Sequence, residues 1–438
     1  MKTFQARPAP HVAGVMSVPG DKSISHRSLM LSGLADGVSE VTGFLASEDC
    51  LATLNAMRAL GVRIERPNAA HVRVHGSGLR GLKRAAHPLD MGNAGTAMRL
   101  FTGLLAAQEF SSTLIGDASL MKRPMERVAK PLREMGADVR TRDGTPPIEI
   151  GGGRQLRGIE YPMPMASAQV KSAILLAGLY AEGATTVTAP APCRDHSERM
   201  LTSYGVRLTT VGLTTTLYPP QRLEGQRLNV PGDFSSAAFF IVAGLLGATD
   251  EGLLIRNVGM NPTRTGLLDI LRSMGANIEI EHARQSGAEP VADLRVHASA
   301  LRGIEVPKAL VPLAIDELPV LCIAAACAQG VTVITGAEEL RVKESDRIAA
   351  MSAGLARLGV PHEALADGMR IEGRDGTAFG GGEIDSHGDH RVAMCFSIAS
   401  LRAANPIVIR DVANVATSFP GFVDLARTVG LDIAESGN

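Results

Sequence analysis

Two kinds of helical segment recur along the chain. One kind ends in apolar residues, then a glycine, then a residue that enters a β pattern, as in MRALGVRI and LREMGADV. The glycines of this series are Gly61, Gly136, Gly205, Gly275, Gly359 and Gly430. Glycine suits the residue just past a helix end, because the backbone turns left-handed there. We therefore predict six amphipathic helices, each ended by one of these glycines.

The second kind of segment is apolar on nearly every side and opens at a polar or glycine residue where a helix could begin. Such segments begin at Asp21, Gly92, Ser167, Asp233, Asp316 and Asp389. A helix without a polar face is typical of a buried position. Short β-rich stretches such as VTVITG lie between the two kinds of helix. The pattern predicts six α/β units of about 70 residues, each with one buried and one amphipathic helix.

The repeat predicts two domains of three units each. A Pro-Gly dipeptide precedes both Asp21 and Asp233, which suggests that a half-protein occurs twice. The expected domains are residues 20–232, and residues 1–19 together with 233–438. Crossovers near Gly20 and Gly232 would act as hinges. Three buried helices in one domain would present their N-termini together and attract anions, so we expect the site in a cleft between the domains.

The composition is that of an ordinary globular protein. Of 438 residues, 45% are hydrophobic and 20% charged, and 44 basic residues nearly balance 45 acidic ones. A duplex nucleic-acid binder would need a basic face, so we expect no nucleic-acid partner. No stretch approaches the roughly 18 apolar residues of a membrane span, and the N-terminus lacks the apolar core of a signal peptide. We expect a cytoplasmic protein with no membrane partner.

The cysteines and the absent motifs narrow the chemistry. The five cysteines have no CxxC spacing, and three lie in apolar helical patterns, so we expect free core thiols in a reducing compartment. The chain has no P-loop, HExxH or GxSxG motif. ATP hydrolysis and zinc hydrolysis therefore lose their usual sequence support. We predict no metal site and no cofactor.

Basic residues stand at or near the starts of the buried helices in both halves. They are Lys22, Arg27, Arg123, Arg194, Lys343, Arg347 and Arg391. Each could be a solvated helix end, part of a charged loop or one side of a local salt bridge. Their recurrence favours a cleft that binds a small polyanion, because the arginine fork fits carboxylate and phosphate. Asp316 and Glu344, with the lysines, could then transfer protons within a cationic field.

The motifs around these positions resemble the 5-enolpyruvylshikimate-3-phosphate synthase family over nearly the whole chain. They are PGDKSISHR, GNAGTAMR, GDASLMKRPM, PMASAQVKSA, RDHSERM, NPTRTG, IDELP, ELRVKESDR and DHRVAM. SAQVKSA and RDHSERM are most similar to the class II branch. The resemblance implies an α/β fold of two domains, each with three βαβαββ units around buried parallel helices, in an inside-out α/β barrel. It also implies a monomer.

The resemblance further implies a reaction in aromatic amino acid biosynthesis. The enolpyruvyl group of phosphoenolpyruvate would pass to the 5-hydroxyl of shikimate 3-phosphate, with release of phosphate. The implied contacts of phosphoenolpyruvate are Lys22, Asn93, Gly95, Arg123, Gln169, Arg347 and Arg391. Those of shikimate 3-phosphate, mainly in the domain of residues 20–232, are Lys22, Ser23, Arg27, Ser167, Ala168, Gln169, Arg194, Asp316 and Lys343. The implied catalytic residues are Lys22, Asp316, Lys343 and Glu344.

Three positions depart from the frequent pattern of that family. Ala168 stands where many members have serine, so one phosphate-binding hydroxyl is missing and Arg194 is the expected substitute. Thr417 stands where many members carry lysine, and Leu100 where proline is frequent. Gly95 keeps the small residue, and a Cβ there would intrude beside phosphoenolpyruvate. We therefore expect sensitivity to glyphosate, which the family binds in that space.

Two alternatives remain open. The sister enzyme that acts on UDP-N-acetylglucosamine has the same architecture, but its loop typically presents a cysteine and GDASLMKRPM has none. A non-catalytic anion-binding module would need cations without acid–base groups. The presence of Asp316, Lys343 and Glu344 disfavours that module.

Overall fold

The computed structural model describes residues 2–219 and 221–437, which fall into two compact units. The terminal unit comprises Met1–Pro19, Pro231–Gln285 and Pro290–Asn438. The central unit comprises Gly20–Val230 and Ser286–Glu289. The chain thus leaves the terminal unit after Pro19 and returns to it at Pro231. Hinge motion at Gly20 and Gly232 stays a prediction.

The described residues form twelve α-helices. They are α1 (Lys22–Leu34), α2 (Glu48–Ala59), α3 (Gly95–Leu105), α4 (Glu126–Glu134), α5 (Ala168–Gly178), α6 (His196–Ser203), α7 (Phe234–Gly247), α8 (Gly266–Ser273), α9 (Leu318–Cys327), α10 (Arg347–Arg357), α11 (His390–Ala399) and α12 (Phe422–Thr428). Short 3₁₀ helices cover Leu120–Lys122, Lys308–Leu310, Glu338–Val342, Ser400–Arg402 and Ala413–Thr417.

The same ranges contain the strands of six sheets. They are β1 (Thr3–Arg7), β2 (Val12–Ser17), β3 (Val38–Thr42), β4 (Arg63–Asn68), β5 (His71–His75), β6 (Leu89–Asp90), β7 (Ser112–Ile115), β8 (Val139–Arg142), β9 (Thr145–Ile150), β10 (Glu160–Pro162), β11 (Thr185–Thr188), β12 (Leu208–Val211), β13 (Thr214–Leu217), β14 (Arg227–Asn229), β15 (Ala248–Gly259), β16 (Ile278–Ser286), β17 (Glu289–Val296), β18 (Val331–Ile334), β19 (His362–Leu365), β20 (Gly368–Glu372), β21 (Gly382–Asp385), β22 (Ile407–Arg410) and β23 (Asp432–Ser436).

One βαβαββ plan accounts for the sheets. In the sheet ordered β6-β7-β9-β8, β6 and β7 are parallel and the other pairs are antiparallel. The buried α3 connects the parallel pair, and the amphipathic α4 leads from β7 to β8. The sheet ordered β10-β11-β13-β12 repeats this plan with α5 and α6. The predicted α/β fold class of three such repeats in each unit is confirmed.

Distant segments complete the first or last sheet of each unit. In the central unit, β14 pairs in parallel with β3, so the last strand in sequence completes the first repeat. In the terminal unit, β2 pairs in parallel with β15, and β1 lies between β22 and β23. The sheet of β18, β19 and β20 has three strands, with a parallel bridge between Glu305 and Val333 where the other sheets have a fourth strand.

The buried helices form the cores of the two units. They are α1, α3 and α5 in the central unit, and α7, α9 and α11 in the terminal unit. Every residue of α7 from Phe234 to Leu246 is buried, as an all-apolar helix requires. Each unit has its own hydrophobic cluster around its three helices. No helix in the described part of the chain is long and apolar enough to cross a membrane.

The predicted caps of four buried helices are confirmed. Asp21, Ser167, Asp233 and Asp389 each accept a hydrogen bond from a backbone N–H in the first turn of the helix that follows. The helices predicted to begin at Gly92 and Asp316 begin two or three residues later. Gly92 has a φ of 54°, which is not helical, and α9 opens with Leu318 and Pro319.

The six repeat glycines lie just past the ends of the amphipathic helices. Gly61, Gly136, Gly205, Gly275, Gly359 and Gly430 have φ values from 74° to 106°. This left-handed conformation is costly for a residue with a Cβ. The prediction that glycine ends each amphipathic helix is therefore confirmed at all six positions.

Candidate functional site

In the central unit, α1 carries two of the predicted cations on its first turns. The Lys22 ammonium donates to Asp49 Oδ2 of α2 at 3.1 Å. The Arg27 guanidinium is buried, with Nε donating to Ser197 Oγ at 2.7 Å and Nη2 donating to Ser172 Oγ at 2.8 Å. Its Nη1 donates to the carbonyl of Ser23 at 3.0 Å. The hydrogen bonds to Ser172 of α5 and Ser197 of α6 thus fix where Arg27 lies.

The start of α3 holds another cation. Arg123 Nη2 donates to Asn93 Oδ1 at 2.6 Å, and Asn93 Nδ2 donates to Asp117 Oδ2 at 2.7 Å. A Cβ added to Gly95 would lie 3.1 Å from Nη1 of Arg123 and 3.1 Å from Nη1 of Arg99. Glycine at this position therefore lets two guanidinium groups approach the first turn of the helix.

The start of α5 is tied to α3 by the side chain of Gln169. Its Oε1 accepts from Arg99 Nη1 at 2.8 Å, and its Nε2 donates to Thr96 Oγ1 at 2.9 Å. Arg99 also donates to the carbonyl of Pro124 at 3.1 Å, so it links three segments of the site. Ser167 caps α5, and Ala168 is the first residue of that helix. Arg194 lies two residues before α6.

In the terminal unit, Arg347 is the centre of a buried charge cluster. Its Nε donates to Asp389 Oδ2 at 2.8 Å, Nη1 to Asp316 Oδ1 at 3.2 Å and Nη2 to Glu344 Oε2 at 2.5 Å. Burial alone would lower the pKa of Arg347, but attraction to Asp389, Glu344 and Asp316 outweighs it and raises the pKa. Burial would likewise raise the pKa of Asp389, yet Arg347 holds it below its usual value. The Arg347–Asp389 pair is therefore charged at neutral pH.

Asp316 joins Arg347 to two further predicted cations. Lys343 Nζ lies 3.8 Å from Asp316 Oδ1 and donates to Glu339 Oε1 at 3.0 Å. Arg391 Nη1 donates to the carbonyl of Asp316 at 3.0 Å, and its Nη2 lies 3.9 Å from Asp316 Oδ2. The structure thus brings Asp316, Lys343, Glu344, Arg347 and Arg391 together.

The cations of this cluster are matched by carboxylates. Arg347 has five N–H groups, and its hydrogen bonds with Asp316, Glu344 and Asp389 use four of them. Its side chain is also only 1% exposed. In this arrangement Arg347 has a single N–H left for a ligand, so its direct contact with phosphoenolpyruvate stays a prediction. Its observed effect is to fix Asp316 and Glu344.

Local ion pairs, which were an alternative for the charged motifs, occur at some of them. Lys343 pairs with Glu339 four residues earlier, and Arg347 pairs with Glu344 three residues earlier. Asp389, by contrast, bonds to Arg347 and caps α11 rather than pairing with its neighbouring arginine side chain. Local pairing and the long-range cluster therefore coexist in the ELRVKESDR segment.

Several structural partners in the site lay outside the sequence prediction. Asp49, Arg99, Ser172 and Ser197 hold predicted site residues in place. Arg99, Ser172 and Ser197 lie in the motifs GNAGTAMR, PMASAQVKSA and RDHSERM, which was the available signal, whereas Asp49 lies outside the quoted motifs. Thr417 is buried, and its Oγ1 donates to the carbonyl of Asn414 at 2.7 Å. No group of His, Cys, Asp and Glu within the described ranges could hold a metal ion.

Comparisons with solved structures define the class of fold. The enolpyruvyl transferase NikO from Streptomyces tendae has a TM-score of 0.81 at 18% identity, covering 99% of both chains, and this likeness shows the fold alone. EPSP synthase from Acinetobacter baumannii has a TM-score of 0.90 at 52% identity, covering all of both chains. The fold is therefore that of the enolpyruvyl transferases.

Sequence comparisons identify the family within that class. The family model of EPSP synthase (3-phosphoshikimate 1-carboxyvinyltransferase) matches residues 7–425. A 3-phosphoshikimate 1-carboxyvinyltransferase from Methylococcus capsulatus is 58% identical, covering 99% of this chain and 98% of the relative. Another from Legionella pneumophila (strain Lens) is 54% identical, covering 99% and 100%. The chain belongs to the EPSP synthase family.

Proposed function

We propose that the chain transfers the enolpyruvyl group of phosphoenolpyruvate to the 5-hydroxyl of shikimate 3-phosphate, in aromatic amino acid biosynthesis. Membership of the EPSP synthase family over residues 7–425 supports this reaction. The single structural observation that carries it is the cluster in which Asp316, Lys343 and Glu344 adjoin Arg347. A non-catalytic anion-binding module would not need these acid–base groups among its cations.

Addition begins at the methylene carbon of phosphoenolpyruvate. Glu344 delivers a proton to that carbon, and oxocarbenium character develops at the adjacent carbon. The 5-hydroxyl attacks the adjacent carbon and gives its proton to the Asp316 carboxylate, and Lys343, 3.8 Å from that carboxylate, assists the deprotonation. The product of this step is a tetrahedral adduct that carries phosphate and the new ether bond. Arg347 supports the step because it holds Asp316 and Glu344 on one guanidinium group.

Elimination restores the double bond. The new methyl group loses a proton to Glu344 while the carbon–oxygen bond to phosphate breaks. Lys22 stabilises the departing phosphate as a compact, strongly hydrated cation. Its bond to Asp49 at 3.1 Å keeps the ammonium near the start of α1, where the helix N-terminus also favours an anion.

Shikimate 3-phosphate binds mainly to the central unit in this proposal. Ser23, Arg27 and Arg194 hold the phosphate, with Arg194 in place of the hydroxyl that Ala168 lacks. Ser167, Ala168 and Gln169 provide the start of α5, while Lys22, Asp316 and Lys343 reach the hydroxyls. The rigid hold of Ser172 and Ser197 on Arg27 supports its role, since a guanidinium fixed in advance loses little freedom when the ligand binds.

Phosphoenolpyruvate is held by cations from both units. Its contacts are Lys22, Asn93, Gly95, Arg123, Gln169, Arg347 and Arg391. The Arg123–Asn93 bond and the Arg99–Gln169 bond support the central-unit part of this set, since each fixes a donor at a helix start. We expect motion at hinges near Gly20 and Gly232, where the chain passes between the units, when the ligands bind. Small-angle scattering should show a smaller radius of gyration when shikimate 3-phosphate is added.

We also propose that glyphosate inhibits the enzyme by occupying the space beside Gly95, and that the enzyme is a cytoplasmic monomer. The closeness of Arg99 and Arg123 to the Cβ position of Gly95 supports the first point. All five cysteines are free, which fits a reducing compartment. The proposed monomeric state rests on the family resemblance, and sedimentation equilibrium would test it.

Replacing Glu344 by glutamine tests the proposed chemistry. The amide keeps the size of the side chain but cannot deliver a proton, so turnover should fall roughly a hundredfold or more. Binding of shikimate 3-phosphate, measured by calorimetry, should change little. Full activity of Glu344→Gln would return this carboxylate to a purely structural role.

A further inference from the structure

Next to Arg391, buried side chains form a chain of hydrogen bonds that takes no part in the proposed reaction. We infer that Arg264 and Ser235 are positioning residues for phosphoenolpyruvate binding, which act on Arg391 through Glu317. The inference rests on the proposed contact between Arg391 and phosphoenolpyruvate. It assigns a function to the arginine of the NPTRTG motif, which the proposed mechanism leaves without one.

The chain begins at Arg264, just before α8. The guanidinium is buried, with its Nη2 donating to Asp233 Oδ1 at 3.1 Å and to Ser235 Oγ at 2.7 Å. Both acceptors belong to the start of α7, where Asp233 caps the helix. The Ser235 hydroxyl in turn contacts Glu317 Oε1. All of these contacts are made by buried side chains and lie inside the terminal unit.

The chemistry of the three groups sets the direction of the hydrogen bonds. A guanidinium can only donate, so Ser235 Oγ must accept from Arg264. The one hydroxyl proton is then free to point to Glu317, and an ionised carboxylate can only accept. Arg264 thereby orients the hydroxyl, and the hydroxyl holds one oxygen of Glu317. A neutral hydrogen-bonding residue in place of Arg264 would not impose this direction.

Glu317 places a negative charge next to Arg391. Its Oε1 lies 4.0 Å from Arg391 Nη1, and the same nitrogen donates to the carbonyl of Asp316 at 3.0 Å. The side chain of Glu317 is 0% exposed, whereas that of Arg391 is 10% exposed. A carboxylate with this burial is costly unless it is hydrogen-bonded and paired. Ser235 supplies the hydrogen bond and Arg391 the opposite charge.

Breaking this chain of hydrogen bonds should therefore leave Arg391 in place but less firmly positioned. Ser235→Ala and Arg264→Met should each raise the KM for phosphoenolpyruvate by about tenfold, the order expected for one lost bond to a charged group. The KM for shikimate 3-phosphate should stay within about twofold, since its contacts do not include Arg391. Arg264→Lys should restore most of the affinity, because lysine also only donates.

A double-mutant cycle separates positioning from general damage. If Arg264 acts through Ser235, the double variant Ser235→Ala/Arg264→Met should raise the KM for phosphoenolpyruvate no more than the larger single change. Independent structural damage would instead multiply the two effects. Ser397→Ala is the matched control, because it removes a buried hydroxyl of α11 that, in the described part of the chain, bonds only within its own helix. Its KM for phosphoenolpyruvate should match that of the unmodified enzyme.

Arg391→Gln, measured in the same series, keeps the two hypotheses apart. If Arg391→Gln leaves the KM for phosphoenolpyruvate unchanged, the proposed role of Arg391 fails and the inference falls with it. If Arg391→Gln raises that KM while Ser235→Ala and Arg264→Met do not, only the positioning inference is overturned. Bound shikimate 3-phosphate, measured by calorimetry, shows that each variant is folded.

Discussion

Arg347 donates through Nε to Asp389 Oδ2 at 2.8 Å, and the side chains of the two residues are 1% and 0% exposed. The carboxylate also accepts from the backbone N–H of Arg391 at 2.9 Å, as the cap of α11. One buried side chain thus starts a core helix and holds the arginine that fixes Asp316 and Glu344. Stability and the arrangement of the acid–base groups depend on the same ion pair.

Asp389→Asn should be strongly destabilising. The amide can still cap α11, but Arg347 loses its buried counter-charge, which typically costs about 3–5 kcal/mol. Urea denaturation at neutral pH would measure the change in the free energy of unfolding. Asp385→Asn is the control, since that exposed side chain also accepts from a backbone N–H but has no buried partner within the described ranges. If Asp389→Asn lowers the free energy of unfolding by less than about 1 kcal/mol, the Arg347–Asp389 pair does not have the proposed stabilising role.

His26 should make the protein sensitive to mild acid. Burial, with the charges of Lys22 and Arg27, lowers its pKa from 6.5 to about 3. Between those values the unfolded chain binds a proton that the folded chain does not, so stability falls as the pH drops below 6.5. The expected loss between pH 7 and pH 5 is about 2 kcal/mol.

Two variants test the contribution of His26. His26→Asn should remove this part of the pH dependence, as measured by urea denaturation at the two pH values. Thr53→Val removes the 2.7 Å hydrogen bond to His26 but leaves the imidazole buried, so the pH dependence should persist. Equal pH dependence in His26→Asn and the unmodified protein would show that His26 is not the source.

Ser197→Ala should weaken binding of shikimate 3-phosphate. The change leaves Nε of the buried Arg27 without its acceptor at 2.7 Å, so the guanidinium should lose its fixed position. We expect the KM for shikimate 3-phosphate to rise about tenfold, with a smaller change for phosphoenolpyruvate. Ser28→Ala on α1, the helix of Arg27, is the control, because among the described residues its hydroxyl bonds only to the carbonyl of Ser25. Unchanged affinity in Ser197→Ala would contradict the proposed role of the fixed Arg27 in phosphate binding.

Gly95→Ala should reduce affinity for phosphoenolpyruvate and sensitivity to glyphosate together. The new Cβ would lie 3.1 Å from nitrogen atoms of Arg99 and Arg123, so these side chains must shift by a few tenths of an ångström. Steady-state kinetics with varied phosphoenolpyruvate and glyphosate would show both constants rising several-fold. The KM for shikimate 3-phosphate is the internal control. An inhibition constant for glyphosate that stays unchanged would place its binding elsewhere.

Local features of the fold were predictable because short segments determine them. Gly61 and the other repeat glycines mark helix ends by their left-handed backbone, and Asp21 marks a helix start by its cap. The completion of the first central repeat by β14 left no local signal, since that strand lies far from β3 in sequence. Periodicity therefore defined the repeats but not the strands that close them.

The candidate site also has features that the sequence predicted and features that it did not. Charged residues at helix starts were visible in the sequence, but the pairs that they form were not. Arg347 and Asp389 are 42 residues apart, and Arg27 and Ser197 are 170 residues apart, so only packing brings them together. Ser197 belongs to the RDHSERM motif, but its residue type gave no further signal, because a buried hydroxyl is common in helices.

Phosphate release from phosphoenolpyruvate, measured in parallel with shikimate 3-phosphate and with UDP-N-acetylglucosamine, tests the proposed reaction most directly. We expect release with shikimate 3-phosphate alone. Release with UDP-N-acetylglucosamine instead would assign the chain to the sister reaction. If folded protein releases no phosphate with either acceptor, that result would contradict the proposed transfer and favour an anion-binding module.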